Sequence, residues 1–172
     1  MTKGWCVSLE PMDTLTLAVQ DYYPDDFSYC YGCGRLNDHG LQLKTRWDGE
    51  ETVTEYVPRP EHLAIPGFVY GGLIASLIDC HSTGSASLAL HRRDGHELGD
   101  GANVPRCVTA SLKVDFLKPT PHGEPITVRG KIVEVGRKKA VIHSELIVAG
   151  EVCVSGEVVA VIAPDSMLNA AR

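Results

Sequence analysis

Of the 172 residues 44% are apolar, and 22 acidic against 16 basic residues give a formal net charge of -6. A chain of this length buries roughly two-thirds of its unfolded surface in one domain without help from disulfides or metal. The acidic balance argues against a nucleic-acid binder, which needs clustered Lys and Arg to displace counterions from phosphates.

Residues 1–29 form a mixed, acidic lead-in. Residues 41–47 alternate in polarity, Asp48-Gly49 is a turn signal, and residues 52–57 are strand formers, which predicts a β-hairpin. Pro58, Pro60 and Pro66 interrupt regular pairing. A helix is then predicted from residue 71 to about residue 90, apolar over most of its circumference. The chain holds no second helix of comparable length, so a sheet must wrap this one.

A polar loop spans residues 91–105, long for a compact fold, and reads as a lid or a disordered tip. Residues 107–117 alternate, with Val108, Ala110, Leu112, Val114 and Phe116 facing one way and Thr109, Ser111, Lys113 and Asp115 the other. Strands follow at residues 126–135, 140–148 and 152–162, separated by glycine-bearing turns. In the last, Val152, Val154, Val158, Ala160 and Ile162 share a face opposite Cys153, Ser155 and Glu157. Residues 164–172 read as a tail. The expected class is α+β, an antiparallel sheet round one central helix.

The apolar runs at residues 15–19 and 158–163 are too short to span a membrane, and residues 1–29 carry no signal-peptide core, so the expected location is the cytoplasm. In that reducing compartment the six cysteines, at positions 6, 30, 33, 80, 107 and 153, read as free thiols. Cys30 and Cys33 have zinc-ligand spacing. A structural zinc takes four ligands, and no second pair follows, so no metal is assigned. No nucleophile elbow, phosphate-binding loop or dinucleotide fingerprint is present, and His96-Glu97 lacks the second histidine of a zinc protease.

Gly71 and Gly72 fall where the helix begins, so their N–H groups are unpaired donors at the positive end of the helix dipole. A carbonyl oxygen lying against them would be stabilised as it gains negative charge, and losing one such donor typically costs about 3 to 4 kcal/mol. The plainer alternative is a tight turn before a helix. Asp79 sits among Leu77, Ile78 and Cys80, where a carboxylate is costly unless paired or useful. It shares a face with Gly72 but lies about 10 Å further along the axis. One helix therefore cannot bring both to one carbon, whereas two antiparallel helices across a two-fold axis could, which predicts an obligatory dimer. The alternative is a core carboxylate capped by Ser76 or Thr83. His81, about 200° round the helix from Asp79, reads as a core histidine.

Several segments together carry a family resemblance. They are Cys30-Tyr31-Gly32-Cys33-Gly34, Asn37-Asp38-His39-Gly40-Leu41, residues 66–72 ending in Tyr70-Gly71-Gly72, Asp79, Thr109-Ala110-Ser111-Leu112, Phe116-Leu117-Lys118-Pro119 and Gly136-Arg137-Lys138. Over residues 30–163 the chain resembles hotdog-fold acyl-CoA thioesterases of the phenylacetate-degradation, or PaaI-like, type. The resemblance implies a homodimer or a dimer of dimers, with sites at subunit interfaces. It implies hydrolysis of an acyl-CoA to free acid and coenzyme A without a cofactor, coenzyme A being part of the substrate.

Residue by residue, it makes Gly71 and Gly72 the donors to the thioester carbonyl and Asp79 the general base or nucleophile. Thr109 would orient water, although alternation alone turns it away from the helix. Arg137 and Lys138 would approach the coenzyme A moiety, their alternative being a solvated hairpin turn. The segment holding Cys30 and Cys33 would border the substrate region without metal. Tyr70 stands where the family carries histidine; its phenol can donate a hydrogen bond but, with an ordinary pKa of about 10, is no base near neutral pH. Tyr70 motivates a rival reading, a hotdog module that binds an acyl-CoA without turning it over. A hydratase or dehydratase would need a positioned histidine that position 70 does not supply.

Overall fold

The computed structural model describes residues 17–169; Cys6 with the rest of residues 1–16, and residues 170–172, lie outside the described residues. Strands β1 (Arg46–Asp48) and β2 (Glu51–Tyr56) form the expected hairpin. Helix α1 covers Gly71–Arg93, followed by β3 (Cys107–Phe116), β4 (Ile126–Val135), β5 (Lys139–Val148) and β6 (Glu151–Ile162). A short helix α2, Asp165–Asn169, occupies part of the expected tail. All strands pair antiparallel in one sheet of order β1-β2-β4-β5-β6-β3, and α1 contacts every strand. This is the single wrapped helix that the sequence demanded.

The first half of α1 buries Leu73, Ile74, Leu77 and Ile78, two i,i+4 pairs that form one apolar stripe. From Cys80 to His91 every residue is buried; most of them are small, and four, Ser82, Thr83, Ser85 and Ser87, carry hydroxyls. Small residues let the sheet approach closely, and the hydroxyls find partners: Ser82 with Ser144 at 2.9 Å, Ser85 with Thr52 at 2.6 Å, and Ser87 with the Tyr23 phenol at 2.9 Å. At the crossing with β6 a Cβ on Gly156 would come within 2.5 Å of Ile78 Cγ2, so only glycine lets helix and strand meet there. His81 is fully buried, its Nδ1 2.8 Å from Thr54 Oγ1, as a core histidine should be. Burial pushes its pKa down to about 3.

Three local features depart from the alternation pattern. The predicted first strand shrinks to Arg46–Asp48, because the Leu41 and Leu43 N–H groups bond the Tyr31 and Gly32 carbonyls instead of a ladder, and Gln42 takes a positive φ of 52°. Within the lead-in, Val19 and Tyr23 pack with Leu88 and Val104 in a second apolar cluster. Finally, β3 and β6 each carry a bulge, at Ala110 and Cys153. An extra residue reverses the facing of everything beyond it. Cys153 is consequently buried rather than on the outer face. Cys107 and Thr109 point to the helix side together with Leu112, Val114 and Phe116, since all of them pair with inward positions of β6. No helix among the described residues is long and apolar enough to cross a membrane.

Candidate active site

Tyr70 is the extended N-cap of α1, and its side chain makes no cap hydrogen bond. The Gly71 and Gly72 N–H groups cannot bond within the helix and have no acceptor among the described residues. The half-exposed Tyr70 ring folds back over Gly72, so a Cβ there would meet ring carbon Cε2 at 2.3 Å and the phenol oxygen at 2.8 Å. The phenol thus stands beside the donors, where histidine stands in the family motif. On the other side Phe116 lies against Gly71. A groove of about 460 Å³, lined by Ile65, Phe68, Val69, Gly71, Ile74 and Phe116, opens at this helix end. Its apolar walls suit an acyl chain or the aliphatic part of a carrier.

Asp79 lies half-buried about two turns further along α1. Its Oδ1 accepts a hydrogen bond from the Thr109 hydroxyl, a contact made possible by the bulge at Ala110. Burial raises the Asp79 pKa, and the Thr109 hydrogen bond partly offsets that by favouring the carboxylate. Neither Ser76 nor Thr83 caps it: they bond the carbonyls of Gly72 and Cys80. A carboxylate with one oxygen held and a basicity above the ordinary is suited to taking a proton.

Within one protomer the expected site residues form two separate groups, Tyr70 with Gly71 and Gly72 and Asp79 with Thr109, which do not converge. Gly71 and Asp79 are separated along the helix by about 12 Å. Arg137 and Lys138 are exposed on the β4–β5 turn, and Arg93, at the far end of α1, donates to the Arg137 carbonyl. Their side chains make no ion pair among the described residues.

Sequence reasoning missed the environment behind Asp79. Its helix neighbour Cys80 places a sulfur 3.9 Å from Cys30 Sγ, and Cys33 completes a group whose sulfurs all lie within 4.8 Å of one another. Hydrogen bonds from Cys33 and Cys80, and from the backbone N–H groups of Cys33 and Gly32, hold the Cys30 thiol far below the ordinary thiol range. Arg106, read as lying just beyond a loop, reaches Cys33 Sγ at 3.6 Å and stacks on the Tyr23 ring. The Cys30-x2-Cys33 spacing was the one visible signal. These contacts join segments dozens of residues apart, which no local pattern records.

A central helix wrapped by an antiparallel six-stranded sheet is the hotdog fold. The sequence pattern of the thioesterase superfamily matches residues 66–155, which include both glycines, Asp79 and Thr109. The chain belongs to that superfamily. A thioesterase superfamily protein from Shewanella loihica PV-4 is similar at 45% identity, the match covering 81% of this chain and 98% of that one, with a TM-score of 0.62. The fold is also that of the Escherichia coli PaaI protein from the phenylacetic acid degradation operon, at 15% identity, 72% and 81% coverage and a TM-score of 0.57. A Streptococcus mutans UA159 protein solved with bound acetyl CoA shares it at 16% identity, 70% and 88% coverage and a TM-score of 0.56. No functionally curated protein matches the chain.

Proposed function

We propose that this protein hydrolyses acyl-CoA thioesters at sites shared between two protomers. The observation that carries the reading is the pairing of a basic, Thr109-bonded Asp79 with unpaired Gly71 and Gly72 N–H groups, set too far apart on α1 to act together in one chain. Membership of the thioesterase superfamily supports thioester chemistry. The S. mutans neighbour bound to acetyl CoA supports the choice of carrier.

In this account the thioester carbonyl oxygen accepts hydrogen bonds from Gly71 and Gly72. Asp79 of the partner subunit takes a proton from water through its free oxygen while that water attacks the carbonyl carbon. The oxyanion of the tetrahedral intermediate is held by the same donors. Its collapse breaks the C–S bond, coenzyme A leaves as thiolate, and the proton on Asp79 passes to that sulfur. Thr109 keeps the carboxylate in place. Arg137 and Lys138 contribute positive charge for the phosphates of coenzyme A.

The dimer contact is assigned to β3. It is an edge strand of ten residues that leaves Leu112, Phe116 and the adjoining Leu117 exposed, and a long apolar edge invites pairing. The test is chromatographic detection of coenzyme A released from short, long and aromatic acyl-CoAs, with Asp79→Asn alongside. Turnover of at least one substrate, abolished in that variant, is expected. No turnover by the native protein, or full turnover by the variant, contradicts the reading.

A further inference from the structure

The three-thiol cluster behind Asp79 plays no part in this mechanism, yet it is built with care. A Cβ on Gly32 would lie 2.2 Å from Cys80 Sγ, so glycine at this position is what lets the helix sulfur reach the loop. A Cβ on Gly34 would lie 2.5 Å from both the Cys30 nitrogen and the Ser28 carbonyl oxygen, which fixes the tight turn after Cys33. That turn is closed by a hydrogen bond from the Gly34 N–H to the Cys30 carbonyl at 2.8 Å. Two sulfurs three residues apart in a loop are thereby presented to a third on a rigid helix.

One sulfur pair already has the separation that a thiophilic metal imposes, and the third sulfur lies within 4.8 Å of both. Zinc–sulfur bonds of about 2.3 Å in tetrahedral array place sulfurs about 3.8 Å apart. The Cys30 and Cys80 sulfurs stand at 3.9 Å.

Charge gives an independent indication. Arg106 is a partly buried guanidinium that has no carboxylate ion-pair partner among the described residues. Its Nη2 is 3.6 Å from Cys33 Sγ, so the group it faces is a cysteine sulfur, which becomes an anion on binding a metal. Three thiolates on a dication carry one net negative charge, which the guanidinium neutralises. Cys30 also borders a surface pocket of about 210 Å³ that it shares with Tyr29, Arg106 and Val108. That opening gives a metal an entry route and leaves a fourth position for water.

We propose that Cys30, Cys33 and Cys80 form a three-thiolate site for a zinc-class cation, clipping the residue 30–34 loop to α1 next to Asp79. The sequence expectation of no metal rested on the lack of a second ligand pair; the third ligand comes singly, from the helix. Because ligands from two distant segments are joined, metal binding stabilises the fold.

The probe is cadmium, whose thiolate charge-transfer band in the ultraviolet reports sulfur ligation directly. Full-length protein, purified without a metal-affinity tag, is stripped with chelator under reducing conditions and titrated with Cd²⁺. The band should saturate at one equivalent, and the loaded protein should melt at a higher temperature than the stripped one. Cys30→Ser and Cys80→Ala should each abolish that saturation, while Cys153→Ser, outside the cluster, should retain it. Circular dichroism checks that each variant is folded; the partly exposed Cys30 supplies the milder lesion if Cys80→Ala fails to fold. Binding unaltered in folded Cys30→Ser, absence of the band, or recovery of a Cys30–Cys33 or Cys30–Cys80 disulfide from anaerobically prepared protein overturns the proposal.

Discussion

Burial of Asp79 favours its neutral form, so the carboxyl holds its proton more tightly in the folded than in the unfolded chain. Stability is therefore lost as pH rises from the ordinary carboxylate range through the raised value. Asp79→Asn should remove that penalty: thermal melts at pH 7 should show a higher transition temperature for the variant, even as turnover disappears. Thr109→Val takes away a hydrogen bond to a charged group, typically about 1.5 to 3 kcal/mol, so activity at pH 7 should fall about ten- to a hundredfold. Without that donor the Asp79 pKa rises further, and the acid limb of the rate profile should move to higher pH, which a kcat/KM profile would read. His81 carries the opposite sign as a base buried neutral. Below about pH 6.5 the unfolded chain gains a proton that the folded chain refuses, so denaturant-measured stability should fall by roughly 1.4 kcal/mol per pH unit through pH 5. Equal stability at pH 7 and pH 5 would contradict this account of His81.

At the scale of the element, α1 begins with two donors that can be deleted singly. Proline is well tolerated at the first helical position, where its missing N–H has no intrahelical partner. Tyr70, at φ -75° and ψ 142°, already has the backbone that a residue before proline needs. A Cβ on Gly71 meets only Phe116, at 3.4 Å. Gly71→Pro should therefore fold with its helical circular dichroism intact and lose about 100- to 1,000-fold in kcat. The helix start, the strands and the spacing of Gly72 from Asp79 were legible in the sequence because hydrophobic period and glycine punctuation are local signals. The side of β3 that bears Thr109 was not. Strict alternation turns Thr109 outward; the bulge at Ala110 turns it inward, and a bulge is defined by the residue count of the partner strand β6, here Val159 and Ala160. The short first strand and the Cys80 contact are non-local in the same way, since backbone from residues 31 and 32 takes the hydrogen bonds of one and the sulfurs of residues 30 and 33 meet the other.

For the whole molecule, the sheet has unequal edges. β1 is only three residues long, whereas β3 offers ten residues with apolar side chains exposed beside the helix N-terminus. Short edges are self-protecting and long ones call for a cover. Sedimentation should accordingly show a dimer or a dimer of dimers. Leu112→Asp, placing a charge on the proposed contact, should lower both the associated fraction and the specific activity, the two falling together on dilution. A monomer that keeps full activity would dissolve the argument for a shared site. The most direct measurement mixes two inactive proteins, Asp79→Asn and Gly71→Pro, after reversible dissociation. If each site takes Asp79 from one protomer and the glycine donors from the other, every hybrid dimer regains one intact site, and statistical mixing restores about a quarter of native turnover. If both groups act within one protomer, every site in every dimer carries a lesion, and the mixture stays as inactive as its components.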